Sequence, residues 1–251
     1  MRGWFVLTGL CFLLNGCAAI SPFIQDFNII SVPEEIALSD QLAESIAQEM
    51  TLIEGTPDAR DVESIGKRLV AEIPQPVFHY EFYIVEDKTP NAFTIPGGKI
   101  YVHTGLLAMA TRDELAGVLG HEIGHAYERH PAKALSRAYG ISFLTNLLLN
   151  RDGQAGQFKT MALQIAQGGI LNKYGRDDER EADEISYYLL KRAGISRNGL
   201  LSFLSKLQQL EAQAPQPPGF LRSHPPTAER IQRLRILIEE DRITDPFAVR
   251  S

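Results

Sequence analysis

The chain has 251 residues, enough for one packed domain with a leader and an insertion. With 44% hydrophobic and 22% charged residues it has an ordinary globular composition, which excludes a wholly disordered or wholly membrane-embedded chain. A net charge of −6 without a basic stripe argues against nucleic acid as a partner.

The first predicted element is a signal peptide over residues 1–16. Arg2 supplies its positive region, and Trp4, Phe5, Val6, Leu7 and the stretch from Leu10 to Leu14 supply a short apolar run. That run is too short to anchor the chain by spanning a bilayer. It ends in Leu14-Asn15-Gly16-Cys17, which resembles the cleavage and acylation site of a bacterial lipoprotein, so Cys17 is the expected lipidation site. Cys11 and Cys17 are the only cysteines, and cleavage before Cys17 leaves one with nothing to pair with. Ala18, in place of Asp, points to the outer membrane, facing the periplasm. Residues 17–31 then read as a lipidated tether, and residues 32–251 as the folded domain.

Within the domain, Ile36, Leu42, Ile46 and Met50 share a helical spacing over 33–50 until Gly55-Thr56-Pro57-Asp58 breaks it. A second helix follows on Val62, Ile65, Leu69 and Ile73, ended by Pro74 and Pro76. Phe78, Tyr80, Phe82 and Ile84 alternate with His79, Glu81, Tyr83 and Val85, which predicts a strand. Two shorter strands, 92–95 and 99–103, are joined by a turn at Pro96-Gly97-Gly98. From Thr111 onward the chain reads as mainly helical, beginning with the capping-box pattern Thr111-Arg112-Asp113-Glu114. An apolar stretch at 141–149, a polar loop at 150–156 and a partly apolar helix at 158–171 read as a helical-hairpin insertion over about 138–172. Its arms are too short to cross a membrane, and packing on the core is favoured over a membrane-facing or lid role. Asp177 or Asp178 caps the next helix, which ends near Gly194. Leu200, Leu201, Leu204 and Leu207 mark another helix, 215–219 a linker, and a last helix begins near Thr227 and buries Ile231, Leu234 and Ile238. No internal repeat or low-complexity tract is present.

The chemistry is concentrated at His121-Glu122-Ile123-Gly124-His125. Two histidines four apart on a helix share one face and can reach one ion. Zinc accepts imidazole and carboxylate ligands and keeps an open position where it is catalytic. Glu122, beside them, suits a general base towards the attacking water better than a ligand. Gly117, Gly120 and Gly124 lie on the same helix at about 1 kcal/mol each in lost propensity, so something must approach that helix closely. A third ligand is required, and the helix Glu179-Arg180-Glu181-Ala182-Asp183-Glu184 supplies candidates, with Glu179 and Asp183 on one face. Elsewhere, His130 reads as a cation at the end of the zinc helix. His79 and His103 read as ordinary strand residues. Asn91, Ala92 and Phe93 form either a plain sheet strand or an edge that pairs with an extended peptide.

The 121–125 motif followed by Glu179-x-x-Ala182-Asp183 resembles the peptidase family of the HtpX heat-shock protease and the CAAX prenyl protease. Asn91-Ala92-Phe93, Pro96-Gly97-Gly98 and Thr104-Gly105-Leu106-Leu107 are similar to that family's segment before the zinc helix. Ser223-His224-Pro225 with Arg230 resembles its periplasmic bacterial branch, which includes BepA and LoiP. The likeness spans about residues 37–240. It implies Glu179 as third ligand and Asp183 as the group orienting a ligand histidine. It also suggests that His224, held on an extended Pro-flanked segment, fills the fourth position in a latent state, and that Arg230 binds the substrate oxyanion once that segment moves. The long transmembrane helices of the integral members and the helical-repeat extension of BepA have no counterpart in this sequence.

The expected fold is therefore α+β, a mainly helical zincin (gluzincin) core with a small sheet. It holds one zinc per chain and hydrolyses internal peptide bonds of unfolded or misassembled envelope proteins. Two other classes stay open: a periplasmic chaperone or assembly factor that uses the peptide groove with little proteolysis, and a zinc-stabilised structural domain. The last has no use for Glu122.

Overall fold

Ser31 opens the first helix: its backbone N–H and its hydroxyl both donate to the Glu34 carboxylate, at 2.8 and 2.6 Å, and Pro33 occupies a first-turn position that needs no N–H partner. The computed structural model describes residues 27–149, 155–167, 174–211, 220, 223–225, 227–241 and 245–247. The expected signal peptide, Cys17, most of the tether, the loop at 150–154 and the linker at 215–219 lie outside these. The tether's last residues already belong to the packed structure, since Ile30 is buried beside Leu38 and Leu42.

Helix α1 (Val32–Glu49) leads to β1 (Leu52–Ile53), α2 (Pro57–Val70), β2 (Glu81–Val85), β3 (Ala92–Thr94) and β4 (Lys99–His103). The sheet order is β1-β2-β4-β3, with β2 and β4 parallel and the two outer pairings antiparallel. The period-2 alternation works on both faces. Ile84, Ala92, Ile100 and Val102 point into one cluster with Val62, Ile65 and Leu69 of α2. Val85, Phe93 and Tyr101 point into the other, with Leu38, Leu42 and Ile46 of α1. The strand expected over 78–85 pairs only from Glu81; Phe78 and Tyr80 are buried ahead of it. The two-residue β1 was not expected, because so short a strand carries no period.

After α3 (Thr104–Leu107), helix α4 (Arg112–Tyr127) begins at the predicted cap. Thr111 Oγ1 accepts from the Glu114 N–H at 3.3 Å, and Glu114 accepts from the Thr111 N–H at 2.8 Å. Every residue of α4 from Glu114 to Tyr127 is buried. It is the central helix, enclosed by the sheet, α2, α7 (Arg176–Arg192) and α8 (Gly199–Glu211). Helix α5 (His130–Leu149) is broken at Gly140, whose φ is 70°. In the expected insertion, α6 (Ala155–Ala166) packs Phe158, Met161, Ala162 and Ile165 against α1 and Phe93. Helix α7 starts one residue before the expected caps. Gly175 is its N-cap, and Asp178 reaches back to the Gly175 N–H at 2.8 Å. Thr227 caps α9 (Ala228–Glu240) as its sequence suggests, accepting from the Arg230 N–H at 3.3 Å. Among the described residues no helix is long and apolar enough to cross a membrane.

Candidate metal centre

Close approach of α7 to α4 builds the site. A Cβ on Gly124 would lie 2.9 Å from the Ala182 Cα and carbonyl oxygen, and one on Gly120 would lie 3.2 Å from the Ser186 Cα. The glycines on α4 therefore let α7 lie backbone to backbone against it. This places Glu179, one turn before Asp183, beneath His121 and His125. All four side chains are buried, together with Glu122 and His224.

The donor atoms converge. His121 Nε2 lies 3.0 Å from His125 Nε2 and 3.6 Å from Glu179 Oε2, and His125 Nε2 lies 3.4 Å from Glu179 Oε1. His224 Nδ1 completes the group, 3.2 Å from His121 Nε2 and 2.9 Å from Glu179 Oε1. A tetrahedral zinc with ligands at about 2.0–2.2 Å separates its donors by about 3.3–3.6 Å; the spacings here run from 2.9 to 3.6 Å, and one donor atom from each of the four residues lies within 4.8 Å of the others, a cluster of the right chemistry and about the right size for one ion. Charge supports the same fit. The buried carboxylates of Glu122, Glu179 and Asp183 face one buried guanidinium, Arg230, an excess that a dication balances.

A second layer of contacts orients the donors. Asp183 Oδ1 sits 2.9 Å from His121 Nδ1, which directs Nε2 at the other donors. Arg230 clamps Asp183 through Nε at 2.8 Å and Nη2 at 2.7 Å, places Nη1 2.6 Å from Glu179 Oε2, and donates Nη1 to the Pro225 carbonyl at 3.1 Å. In this state the expected oxyanion donor is engaged with Glu179, Asp183 and Pro225. His130 Nδ1 lies 2.9 Å from His125 Nδ1, and its Nε2 lies 3.2 Å from Glu181. Tyr174 stacks on His125 with ring centroids 4.3 Å apart.

Burial alone would raise Glu179, but Arg230, then His224 and the two motif histidines, hold it well below the usual carboxylate range. Burial likewise opposes ionisation of Asp183, and Arg230 and His121 outweigh it. His121 is disfavoured as a cation by burial, yet Asp183 and Glu179 push it up to about 9, so this point in the fold favours positive charge. Glu122 is raised by burial, with partial relief from His224 and His121. Both of its carboxylate oxygens are buried, with no hydrogen-bond partner among the described residues.

Of the residues singled out in the sequence, His121, Glu122, His125, Glu179, Asp183, His224 and Arg230 thus come together. Ala92 and Phe93 lie on β3, the outer strand of the sheet beside α4, and Asn91 immediately precedes it. They are buried, and the Asn91 amide donates to the Ala166 carbonyl at 3.2 Å. Glu181, the rival ligand candidate, faces His130 instead. His130, expected at the end of the zinc helix, also contacts the donor histidine His125. Arg129, with φ at 58°, turns the chain back after α4, and nothing in a five-residue spacing announces that. Tyr174 and Phe220 gave no signal in the sequence.

A buried pair of imidazoles four apart, a carboxylate from a second helix and a buried glutamate between them define a metallopeptidase. Residues 57–238 match Peptidase family M48. The chain is 34% identical over 237 residues to Metalloprotease YcaL of Escherichia coli K12, covering 89% of this chain and 91% of that one. It is 29% identical to Metalloprotease LoiP of the same organism, covering 95% and 94%. It is 30% identical to a Beta-barrel assembly-enhancing protease of Yersinia pestis, covering 82% of this chain but 44% of that relative. The chain belongs to peptidase family M48.

Proposed function

We propose that the protein is a zinc endopeptidase of the bacterial envelope, anchored by a lipid on Cys17 at the outer membrane and facing the periplasm, where it hydrolyses unfolded or misassembled envelope proteins. The observation that carries this reading is the convergence of His121, His125 and Glu179 with the buried carboxylate of Glu122, which has no hydrogen-bond partner among the described residues, beside them. Zinc, which His121, His125 and Glu179 would hold, would supply Lewis-acid polarisation of the scissile carbonyl and of the attacking water. Glu122 removes the proton from that water and delivers it to the leaving amine, and burial raises its basicity towards the useful range. Asp183 fixes the His121 tautomer, and Arg230 holds Asp183 and Glu179 in register. The substrate runs extended along the edge at Asn91, Ala92 and Phe93. Similarity to a Beta-barrel assembly-enhancing protease supports an envelope role.

His224 acts as a latch in this reading. Its Nδ1 takes the fourth corner of the donor set, and its Nε2 lies 3.5 Å from Glu122 Oε1, where the attacking water belongs. Withdrawal of His224 with Pro225 frees one of the two Arg230 Nη1 hydrogens, the other staying with Glu179, and the freed N–H is available to a developing oxyanion. The test is hydrolysis of unfolded casein by zinc-loaded wild type and His224→Ala. The variant is expected to turn over several-fold faster with its zinc retained. Unchanged or slower hydrolysis contradicts the latch, and no hydrolysis by either protein contradicts the peptidase. For the anchor, a fatty-acid analogue labels the wild type and not Cys17→Ser; an unlabelled wild type contradicts it.

A further inference from the structure

Arg129 stands at the corner where the chain leaves α4 and enters α5, with φ at 58°. A residue with a side chain keeps this left-handed conformation only where its surroundings impose it. Two contacts do so here. The guanidinium Nε donates to Glu35 Oε2 at 2.7 Å, and Nη2 donates to the Ile30 carbonyl. Glu35, on α1, is buried, and its other oxygen accepts the Gly97 N–H at 3.2 Å. The Ile30 carbonyl belongs to the stretch ahead of α1, which is itself seated. The Ile30 side chain is buried with Leu38 and Leu42. The Ile29 N–H donates to Ser136 Oγ on α5 at 3.2 Å. Asn28 Oδ1 accepts from the Ile30 N–H at 3.0 Å and from the Ser136 hydroxyl at 3.2 Å.

The residue after Arg129 is His130, whose Nδ1 lies 2.9 Å from His125 Nδ1 and whose Nε2 lies 3.2 Å from Glu181. A histidine that ligates through Nε2 carries its proton on Nδ1, so His130 accepts from His125 and donates from its far nitrogen to Glu181. This relay needs the His130 ring in one place, and the Arg129 corner sets where that ring begins. We propose that residues 28–31 form a strap that positions the metal centre: seated on Ser136 and Arg129, they fix the α4–α5 corner so that His130 orients the ligand His125. The strap rests on the metallopeptidase reading above. Asn28 and Arg129 are its positioning residues, and neither touches the donor set. Because the chain reaches the strap from Cys17, the proposed anchor and the donor set are mechanically linked.

The test is zinc affinity of the full chain, read by competition with a chromophoric chelator. Partners of a ligand histidine are worth about 10–100-fold in metal affinity, and groups one contact further out are worth less. Arg129→Gly keeps the left-handed backbone free of strain but removes the guanidinium, and is expected to lower affinity about tenfold. Asn28→Ala is expected to lower it about threefold or more, and Asn28→Asp, which keeps the acceptor oxygen, to restore it. In a His130→Ala background neither Arg129→Gly nor Asn28→Ala lowers affinity further, because their effect runs through that ring. A general loosening of the fold lowers it equally in both backgrounds. Wild-type affinity in Asn28→Ala, an equal loss in Asn28→Asp, or a loss of the same size with and without His130 overturns the strap and leaves the metal centre intact. A parent chain that binds no zinc overturns the metal centre, and the strap with it.

Discussion

Replacing Gly124 by alanine tests how the site is assembled. The new Cβ would stand 2.9 Å from the Cα and carbonyl oxygen of Ala182, where ordinary contact begins at 3.4 Å. Neither atom belongs to a side chain that can rotate away, so α7 must shift from α4 by about 0.5 Å. Over-packing of this kind costs about 1–3 kcal/mol. Alanine returns about 1 kcal/mol in helix propensity, leaving a net loss of about 0–2 kcal/mol. The metal is more sensitive than the fold. Glu179 lies on α7 three residues before Ala182 and moves with it, whereas ligand distances tolerate about 0.2 Å. Zinc affinity, measured by competition with a chromophoric chelator, is expected to fall at least about tenfold, alongside a modest drop in Tm. Gly156→Ala is the control: no atom of the described residues is recorded within 4 Å of its Cβ, so zinc affinity should hold while stability rises by up to about 1 kcal/mol from helix propensity. A Gly124→Ala protein with wild-type zinc affinity would refute the idea that this glycine sets the α4–α7 distance.

Three further outcomes follow from the same geometry. His130→Ala should lower zinc affinity about 10–100-fold, because His125 loses the partner of its Nδ1. His130→Gln should recover most of it, its amide oxygen accepting from His125 and its amide nitrogen donating to Glu181; equal loss in both variants contradicts the orienting role. Stripping the metal with a chelator should lower Tm through repulsion among Glu122, Glu179 and Asp183, and an unchanged Tm would count against a dication in that cluster. Arg230→Ala leaves Glu179 and Asp183 buried without their clamp and should cost about 3–5 kcal/mol in urea unfolding, whereas a loss below about 1 kcal/mol contradicts it.

Much of this site was legible because its determinants are local. The Thr111–Glu114 capping box, the four-residue spacing of His121 and His125, and the alternation of Phe82 to Val85 all follow from helix or strand periodicity alone. The glycines of α4 were legible too, as a cost needing a reason, and the reason is the backbone of α7 and its neighbour α8. What periodicity could not carry depends on backbone reversals and tertiary contact. Arg129 adopts a left-handed conformation, with its guanidinium held 2.7 Å from the buried Glu35, and this folds His130 back onto His125. Asp178 resembles a cap but sits two positions inside the helix, where its carboxylate still reaches the Gly175 N–H. Phe220 lies just beyond a Pro-rich stretch with no apolar repeat around it, so only its burial against Phe203 and His121 reveals its place.

The central claim is that His121, His125 and Glu179 hold the metal while Glu122, beside them, does chemistry without ligating. The most direct measurement is zinc per chain and casein hydrolysis on one preparation of Glu122→Gln, compared with its parent in the His224→Ala background. One zinc per chain should remain, while hydrolysis falls by about 100-fold or more. Loss of the zinc, or hydrolysis at the parent's rate, would contradict the account.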